Sequence, residues 1–178
     1  MNKQRVFLFI PLVVFAVLAA FFWRGLSLNP NDMPSALLNK PVPKFSLPRL
    51  ENLQELRSEN ILQGKVTLLN MWSTTCVTCK EEHAFLNELK KQGMHIIGVN
   101  HKDVTADAQR WIAELGNPYD DIIVDEEGYF GLDLGVFGLP ETYVVDKQGV
   151  IRYKHIGDLN QKVWEETIQP IVKALENK

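Results

Sequence analysis

The sequence predicts an α/β fold in which helices pack on a mixed β-sheet. Apolar runs of strand length alternate with amphipathic runs of helix length through the middle of the chain, and a hairpin pattern follows them. The chain has 178 residues, 46% hydrophobic and 23% charged, which suffices for one globular domain and an appendage. The net charge of -3 at pH 7 does not indicate a nucleic-acid partner.

The N-terminal segment, residues 1–24, predicts a membrane anchor. Val6–Trp23 carries no charge and is close to the roughly 20 residues that a bilayer-spanning helix needs. A cleaved signal peptide is the alternative, but no good small-residue cleavage site follows the apolar run. Lys3 and Arg5 precede it, so the positive-inside rule places the N-terminus in the cytoplasm and the remaining chain across the membrane. Disulfide chemistry is allowed on that side.

A proline-rich stretch follows the apolar segment. Prolines recur from Gly25 to Pro48, a composition typical of an extended connection. We therefore assign residues 25–40 to a tether and residues 41–178 to a folded domain. No internal repeat or low-complexity segment interrupts that domain.

The first strand and helix of the domain have the clearest pattern. Lys65–Trp72 is a largely apolar run, which predicts a central strand covered on both faces. A helix is predicted over Cys76–Gln92, because Leu86 and Leu89 belong to its apolar stripe and Gly93 provides a stop.

The next elements repeat this alternation of strand and helix. Met94–Asn100 predicts a second buried strand. Thr105 is the expected N-cap of a helix that ends at Leu115 before Gly116, and Ile122–Val124 is a short third strand.

The C-terminal part adds a hairpin and a closing helix. Tyr143–Val145 and Val150–Tyr153 are predicted strands around the turn Asp146–Gly149. Asn160–Leu175 predicts the last helix, with Pro170 disturbing its second half. A hairpin beside strands that alternate with helices makes the predicted sheet mixed.

The only two cysteines, Cys76 and Cys79, form a C-x-x-C motif between the first strand and its helix. The unpaired N–H groups and partial positive charge of a helix N-terminus stabilise a thiolate there. Cys76 is therefore the predicted nucleophile, and Cys79 is predicted to resolve the mixed disulfide. Structural zinc would need more ligands, and haem attachment would need a histidine where Lys80 stands. A purely structural disulfide remains as an alternative.

Four motifs carry a resemblance to a known family. They are C-x-x-C-K-E-E-H at Cys76–His83, G-N-P-Y at Gly116–Tyr119, G-L-D-L-G-V-F-G-L-P-E-T at Gly131–Thr142 and V-I-R-Y-K-H-I-G-D-L-N at Val150–Asn160. From about residue 41 to residue 175, the chain resembles the CcmG/DsbE family of membrane-anchored periplasmic thiol:disulfide interchange proteins. The resemblance implies a thioredoxin fold with a mixed central sheet, a central insertion at residues 117–134 and an N-terminal transmembrane anchor helix.

The resemblance also implies the surroundings of the cysteines. It makes Pro140 a cis-proline, with the backbone of Leu139 exposed beside Cys76 so that an extended substrate can pair with it. Two positions depart from the expected pattern. Thr75 replaces a common tryptophan, and Asn70 replaces the buried aspartate that helps proton transfer in thioredoxin. Another acid, or water, must then move that proton.

Two polar residues after the motif are candidates for that task. Glu82 and His83 follow Cys79 by three and four residues and share its helix face. Either could tune the buried thiol or carry its proton. A solvated surface pair is the alternative interpretation of both.

Three further features are expected to surround the site. Glu141, next to Pro140, is expected near the cysteines, where it would make the site acidic. Trp72 is expected to form a buried floor under them. The acidic turn Asp125–Glu127 is interpreted as solvated, with a place near the active face as the alternative.

The predicted protein is an enzyme, a protein-disulfide reductase in cytochrome c maturation. By the resemblance, it keeps the C-x-x-C-H thiols of apocytochrome c, or of an accessory protein that holds it, reduced for haem attachment. Its electrons would come from a membrane thiol reductase of the DsbD or CcdA kind. It would cross the bacterial inner membrane once, with the catalytic domain in the periplasm. The only expected redox group is the Cys76–Cys79 disulfide, without metal or other cofactor.

A metal carrier is the alternative from another functional class. Thioredoxin-like copper chaperones bind copper with two cysteines and a distant histidine, and Cys76, Cys79 and His155 are available for this. Those chaperones have a C-x-x-x-C spacing, which differs from the spacing here. A general thiol oxidant would share the fold and differ only in its redox poise.

Overall fold

The computed structural model describes residues 3–26 and 36–177 of the chain. The chain divides into an N-terminal unit, residues 1–33, and a larger unit, residues 34–178. The N-terminal unit contains the helix Lys3–Leu26 (α1), which includes Pro11. In the described part of the chain, no helix combines the length and apolar character needed to cross a membrane. The predicted anchor therefore lies in a helix, while its insertion into a membrane stays a prediction.

The larger unit contains a mixed sheet, as the sequence predicts, and this sheet has seven strands. The strands are Leu47–Arg49 (β1), Asn52–Arg57 (β2), Thr67–Trp72 (β3), His95–His101 (β4), Asp121–Asp125 (β5), Glu141–Val145 (β6) and Ile151–Ile156 (β7). Their order across the sheet is β2-β1-β5-β4-β3-β6-β7. Strands β3, β4 and β5 are parallel, whereas β6 is antiparallel to β3 and β7 is antiparallel to β6.

Helices connect the parallel strands and close the chain. They are Val77–Lys91 (α2), Thr105–Leu115 (α3), Tyr129–Leu134 (α4), Gln161–Val163 (α5) and Gln169–Glu176 (α6), with a 3₁₀ turn at Glu59–Leu62. A π-helical turn, Trp164–Ile168, joins α5 to α6. Pro170 lies in the first turn of α6, directly after the π-helical turn. The predicted closing helix is thus interrupted before the proline.

Two predicted boundaries differ from the structure. Thr105 is the first residue of α3 and not its cap, because the cap position belongs to Val104. The side chain of Val104 makes no capping hydrogen bond, and the carboxylate of Asp103 accepts the N–H group of Val104 itself at 2.9 Å. The folded unit also begins inside the predicted tether. Asn39 donates to the carbonyl of Ile151 at 2.8 Å, and the N–H group of Ile151 donates to Lys40 at 2.9 Å.

Three short elements have no clear signal in the sequence. Strand β1 has three residues and contains Pro48, and β2 is largely exposed with mixed polar and apolar positions. Helix α4 has six residues, too few for a helical period to be recognised. Gly128 and Gly135, both in the left-handed region with φ of 79° and 69°, mark its two ends.

The sheet separates two apolar cores. On one face, α2, α3 and the closing helices pack against strand residues such as Leu68 and Trp72. On the other, the 3₁₀ turn and α4 pack against residues such as Met71 and Tyr143. All six residues of β3 are buried, which explains why its sequence is apolar without alternation. Because β3, β4 and β5 are parallel, their carboxyl ends meet at one edge, where the C-x-x-C motif begins.

We expect Gly98→Ala to destabilise the domain by about 1–3 kcal/mol, the usual cost of overpacking a core. A Cβ atom at Gly98 would lie 2.9 Å from Cγ of Tyr119 and 3.0 Å from Nε1 of Trp72. Those two rings are stacked with centroids 5.8 Å apart, so neither is free to move aside. Urea unfolding measures the effect. Gly138→Ala is the control, since its Cβ atom would meet nothing within 4 Å. Equal stabilities of the two variants would contradict this packing argument.

Candidate active site

The two cysteines form a disulfide at the start of helix α2. The sulfur atoms are 2.18 Å apart, and the Cα atoms are separated by 5.2 Å. Cys76 is the N-cap residue, and its sulfur accepts the N–H group of Cys79 at 3.1 Å. Cys76 is half-buried, whereas Cys79 is only 3% exposed. An incoming thiol or disulfide therefore reaches Cys76 first, and the same N–H group would stabilise the Cys76 thiolate after reduction.

Asp103, after strand β4, holds the loop that leads into the motif. Its carboxylate accepts the N–H group of Thr74 at 2.6 Å and the hydroxyl of Thr74 at 2.7 Å. Asn100 donates to the same carboxylate at 2.8 Å. Burial acts to raise the pKa of Asp103, but the hydrogen bonds from Thr74 and its other donors outweigh burial and lower that pKa. Sequence reasoning missed this residue because its partner lies in another loop.

Glu82 is a buried acid one turn after Cys79. It is 3% exposed, and its two carboxylate oxygens accept the side-chain amide of Asn70 at 3.0 Å and the N–H group of Leu159 at 2.8 Å. Burial raises the pKa of Glu82 to about 7, although the bonds from Leu159 and Asn70 oppose that rise and the charge of Asp158 adds to it. The surface interpretation of Glu82 is therefore wrong. A carboxyl group with this pKa can accept and return a proton near neutral pH.

Asn70 is the centre of the polar network around Glu82. Its amide nitrogen also donates to the hydroxyl of Thr142 at 3.1 Å, and its oxygen accepts the hydroxyl of Tyr119 at 2.9 Å. Burial, together with the charge of Glu82, raises the pKa of Tyr119 well above its ordinary value, so the phenol stays a donor. Asn70 thus provides a hydrogen-bond donor at the position where thioredoxin has a buried aspartate. The buried acid of this site is Glu82 of α2.

His83 has a structural role. It is 3% exposed, its Nε2–H group donates to the carbonyl of Gly116 at 2.9 Å, and its Nδ1 atom accepts the indole N–H group of Trp111 at 3.3 Å. These partners fix the neutral tautomer, and burial lowers the pKa of the ring. Because both ring nitrogens are occupied, His83 connects α2 to the end of α3 and does not carry a proton to the cysteines.

Trp72 lies where the sequence places it, in the apolar core that contains Cys79. It is 1% exposed, and its ring packs against Trp111 with centroids 6.0 Å apart. Half-buried Cys76 packs against the same core. The floor of the site is therefore aromatic and rigid, which limits the positions that the disulfide can adopt.

The loop before strand β6 contains Leu139 and Pro140, the two residues that the resemblance places beside the cysteines. The peptide bond between Leu139 and Pro140 is cis, as the resemblance implies. Leu139 is half-buried against the same core as Cys76, and Pro140 is buried.

Glu141 does not make the site acidic in the expected way. It is fully buried, and Lys154 of β7 lies 3.0 Å from its carboxylate. The negative charge is thus matched by a positive one. The hydroxyl oxygen of its neighbour Thr142 accepts the side-chain amide of Asn70, whereas Glu141 belongs to the opposite face of the strand.

The three residues of the predicted acidic turn differ in their exposure to solvent. Glu126 and Glu127 are exposed, as expected for a turn, but Asp125 is only 2% exposed. Its carboxylate lies 2.7 Å from Nδ1 of His101 and accepts the N–H group of Gly131 at 2.9 Å. Asp125 therefore connects α4 to the ends of β4 and β5. The sequence did not indicate this role, because Asp125 stands beside two other acidic residues.

His155, the histidine of the copper alternative, is half-buried on β7. Its Nε2–H group donates to the carbonyl of Asp158 at 3.2 Å. Within residues 3–26 and 36–177, no group of three or more histidine, cysteine, aspartate or glutamate side chains is arranged to hold a metal ion.

A half-buried and a buried cysteine in one disulfide, a helix N-terminus, a cis-proline and a buried acid define a thiol:disulfide oxidoreductase. The protein-family model described as Redoxin matches residues 37–171. The chain is 46% identical over 172 residues to a thiol:disulfide interchange protein DsbE of Pseudomonas aeruginosa, covering 97% of this chain and 96% of that protein. It is 48% identical over 175 residues to the DsbE protein of Escherichia coli, covering 94% of each. The chain belongs to the redoxin family and, within it, to the DsbE thiol:disulfide interchange proteins.

Solved structures support the same thioredoxin-like fold. A secreted thiol-disulfide isomerase from Corynebacterium glutamicum is similar with a TM-score of 0.67 and 20% identity, covering 82% of this chain and 96% of that chain. A DsbF homologue from Corynebacterium diphtheriae gives a TM-score of 0.66 at 21% identity, covering 80% of this chain and 96% of that chain. At these identities the likeness concerns the fold alone.

Proposed function

We propose that this protein is a dithiol reductant that supports cytochrome c maturation outside the cytoplasm. Its substrate would be a disulfide between the two cysteines of a C-x-x-C-H haem site, in apocytochrome c or in an accessory protein that holds it. The observation that carries this proposal is the pairing of an accessible Cys76 with two buried residues of α2, Cys79 one turn deeper and Glu82 one further turn on. The DsbE relatives, matched over nearly the whole chain, support it further.

The reaction would take place in two exchange steps. The Cys76 thiolate attacks one sulfur of the substrate disulfide, which forms a mixed disulfide and releases the other substrate sulfur as a thiolate. The Cys79 thiolate then attacks the sulfur of Cys76, which forms the Cys76–Cys79 disulfide and releases the second substrate thiolate. Two electrons pass to the substrate. Glu82, as a carboxylate, would accept the proton that Cys79 must lose before the second step.

The oxidised protein would need a source of electrons. Exported compartments are oxidising, so the dithiol form does not regenerate without a dedicated donor. By its chemistry the donor must offer a thiolate to the exposed side of Cys76, and we assign this role to a membrane thiol reductase of the DsbD or CcdA kind. No other cofactor enters this proposed cycle.

The N-terminal segment would hold the domain at the bacterial inner membrane. Support comes from the uncharged run Val6–Trp23, with Lys3 and Arg5 before it and Arg24 after it. In this arrangement the segment crosses the membrane once, and the catalytic domain lies in the periplasm.

A comparison of two disulfide substrates tests the proposal. We expect the reduced protein to reduce an oxidised C-x-x-C-H peptide faster than insulin, since a reductant beside strong oxidants must exchange selectively. Stopped-flow tryptophan fluorescence can follow both reactions. Equal rates would contradict the specificity, and an absence of peptide reduction would contradict the function. Metal analysis of the isolated protein addresses the copper alternative, which stoichiometric copper would favour.

A further inference from the structure

The buried carboxylate of Glu141 binds the loop that precedes it. One oxygen accepts the N–H groups of Phe137 at 2.9 Å and Gly138 at 3.3 Å. The other accepts the hydroxyl of Tyr143 at 2.8 Å and lies 3.0 Å from Nζ of Lys154. The carboxylate of Glu141 therefore accepts hydrogen bonds from the two consecutive N–H groups at the end of the loop.

Lys154 binds the other end of the same loop. Its ammonium group donates to the carbonyl of Gly135 at 2.8 Å, and it lies 5.4 Å from the centroid of the Tyr143 ring. The side chain is only 7% exposed, so its charge depends on Glu141 and these neighbours for stabilisation. Together, Glu141 and Lys154 hold both ends of the segment Gly135–Gly138.

This segment carries an exposed aromatic ring just before Leu139 and the cis-proline. Phe137 is 77% exposed, an unusual environment for a phenylalanine. Two residues later, Leu139 packs on the core that also contains Cys76. Buried aromatic anchors provide much of the binding energy in protein recognition. A shift of the segment would therefore move Phe137 and the backbone of Leu139 relative to the cysteines.

We propose that the Glu141–Lys154 ion pair is a clamp that positions the segment Gly135–Gly138 for substrate recognition. This inference rests on the proposed function, because it assigns the segment to the binding of an extended disulfide peptide. Lys154 is then a positioning residue: it touches neither substrate nor cysteines, and it acts through the loop. The clamp determines which disulfides reach Cys76 productively and leaves the chemistry of the cysteines unchanged.

Lys154→Met tests the clamp, since it keeps the apolar stem and removes the ammonium group. We expect the half-saturating concentration of an oxidised C-x-x-C-H peptide to rise about tenfold, while the limiting rate changes less than about twofold. Reduction of dithiodipyridine, a disulfide too small to contact the loop, should keep its rate. Lys162→Met, which removes the same charge from an exposed position, is the control. Lys154→Arg should restore most of the peptide affinity.

Amide hydrogen exchange gives a second readout, independent of any substrate. We expect the amides of Phe137 and Gly138 to exchange roughly tenfold faster in Lys154→Met, with no such change in β3 or α2. Faster exchange throughout the domain would indicate a merely structural role and overturn the proposal. If the variant does not fold, Glu141→Gln combined with Lys154→Met removes both charges, and the same measurements apply to it.

The outcomes separate this inference from the proposed function. A wild-type protein that does not reduce the peptide would contradict the proposed function. If the wild-type protein reduces the peptide and the Lys154→Met protein has the same peptide affinity, only the clamp is contradicted. A parallel loss of dithiodipyridine reduction would also contradict it, because the clamp acts on recognition only.

Discussion

Replacing Cys76 with serine is expected to abolish disulfide exchange, whereas replacing Cys79 with serine should leave the first attack intact and accumulate mixed disulfides. The reason is the difference in exposure: Cys76 is half-buried at the helix N-terminus, and Cys79 is 3% exposed behind it. Without Cys76 no sulfur can reach the substrate. Without Cys79 no thiolate is present to release it. Non-reducing electrophoresis and mass spectrometry of a reaction with the C-x-x-C-H peptide would detect the trapped species.

Alkylation of the reduced wild-type protein provides the independent check on this assignment. A short pulse of iodoacetamide at neutral pH should modify Cys76 before Cys79, because a thiolate at a helix N-terminus is stabilised and a buried thiol is not. Thr78→Ser, a mild change between the two cysteines, is a suitable control for local disturbance. Faster alkylation of Cys79, or mixed disulfides that form through Cys79 in the Cys76→Ser protein, would reverse the roles.

Replacing Glu82 with glutamine is expected to slow the release of substrate by roughly 100-fold or more, the usual contribution of a positioned base. In the wild type, the carboxylate forms as the pH rises through its pKa of about 7, so the rate of the second step should rise over that range. The glutamine variant lacks this inflection. Single-turnover rates between pH 5.5 and 8.5 measure it. Glu81→Gln, which removes the same charge from the exposed neighbour, should keep the wild-type profile. Identical profiles for all three proteins would contradict the assignment of Glu82.

The same substitution should flatten the pH dependence of stability. Because burial raises the pKa of Glu82 from 4.5 to about 7, the folded state holds this proton more tightly than the unfolded state. Stability therefore falls as the pH rises from about 5 to about 7, by up to about 3 kcal/mol for a group this buried. The glutamine variant has no proton to lose and should not show this fall. Its absolute stability at pH 5 is expected to be lower, since the NH2 group of glutamine cannot accept the hydrogen bond that the second carboxyl oxygen of Glu82 accepts. The slope is thus the quantity to measure, by urea unfolding across the range.

Local patterns predicted the parts of the fold that depend on neighbours in sequence. Strand β3, helix α2 and the β6–β7 hairpin follow from apolar runs, a glycine stop and a turn, and the C-x-x-C motif follows from its place between strand and helix. The cis form of Pro140 came from resemblance, because X-Pro bonds are usually trans and nothing local indicates the exception. Strand β1 and helix α4 were missed because they are too short to show a period.

Charged residues were harder to interpret than apolar ones. Glu82, Glu141 and Asp125 look alike in the sequence, yet all three are buried, each with different partners. Their partners lie far along the chain: Leu159 for Glu82, and His101 on a neighbouring strand for Asp125. Tertiary packing decides whether a carboxylate accepts a proton, pairs with a lysine or connects two elements. Residue type and spacing alone could therefore identify these positions as candidates but could not distinguish their roles.

The pairing of residues 39–42 with the beginning of β7 has a consequence for the behaviour of the isolated domain. Strand β7 is one border of the sheet, and an unpaired border offers N–H and C=O groups to any other extended chain. The bonds between Asn39, Lys40 and Ile151, and between Val42 and Gly149, cover the start of that border with the protein's own chain. Residues 39–42 thus keep that part of the border from pairing with another chain. A fragment that begins at residue 43 would leave the border unpaired and is expected to aggregate. A fragment that keeps residues 36–42 would retain these hydrogen bonds.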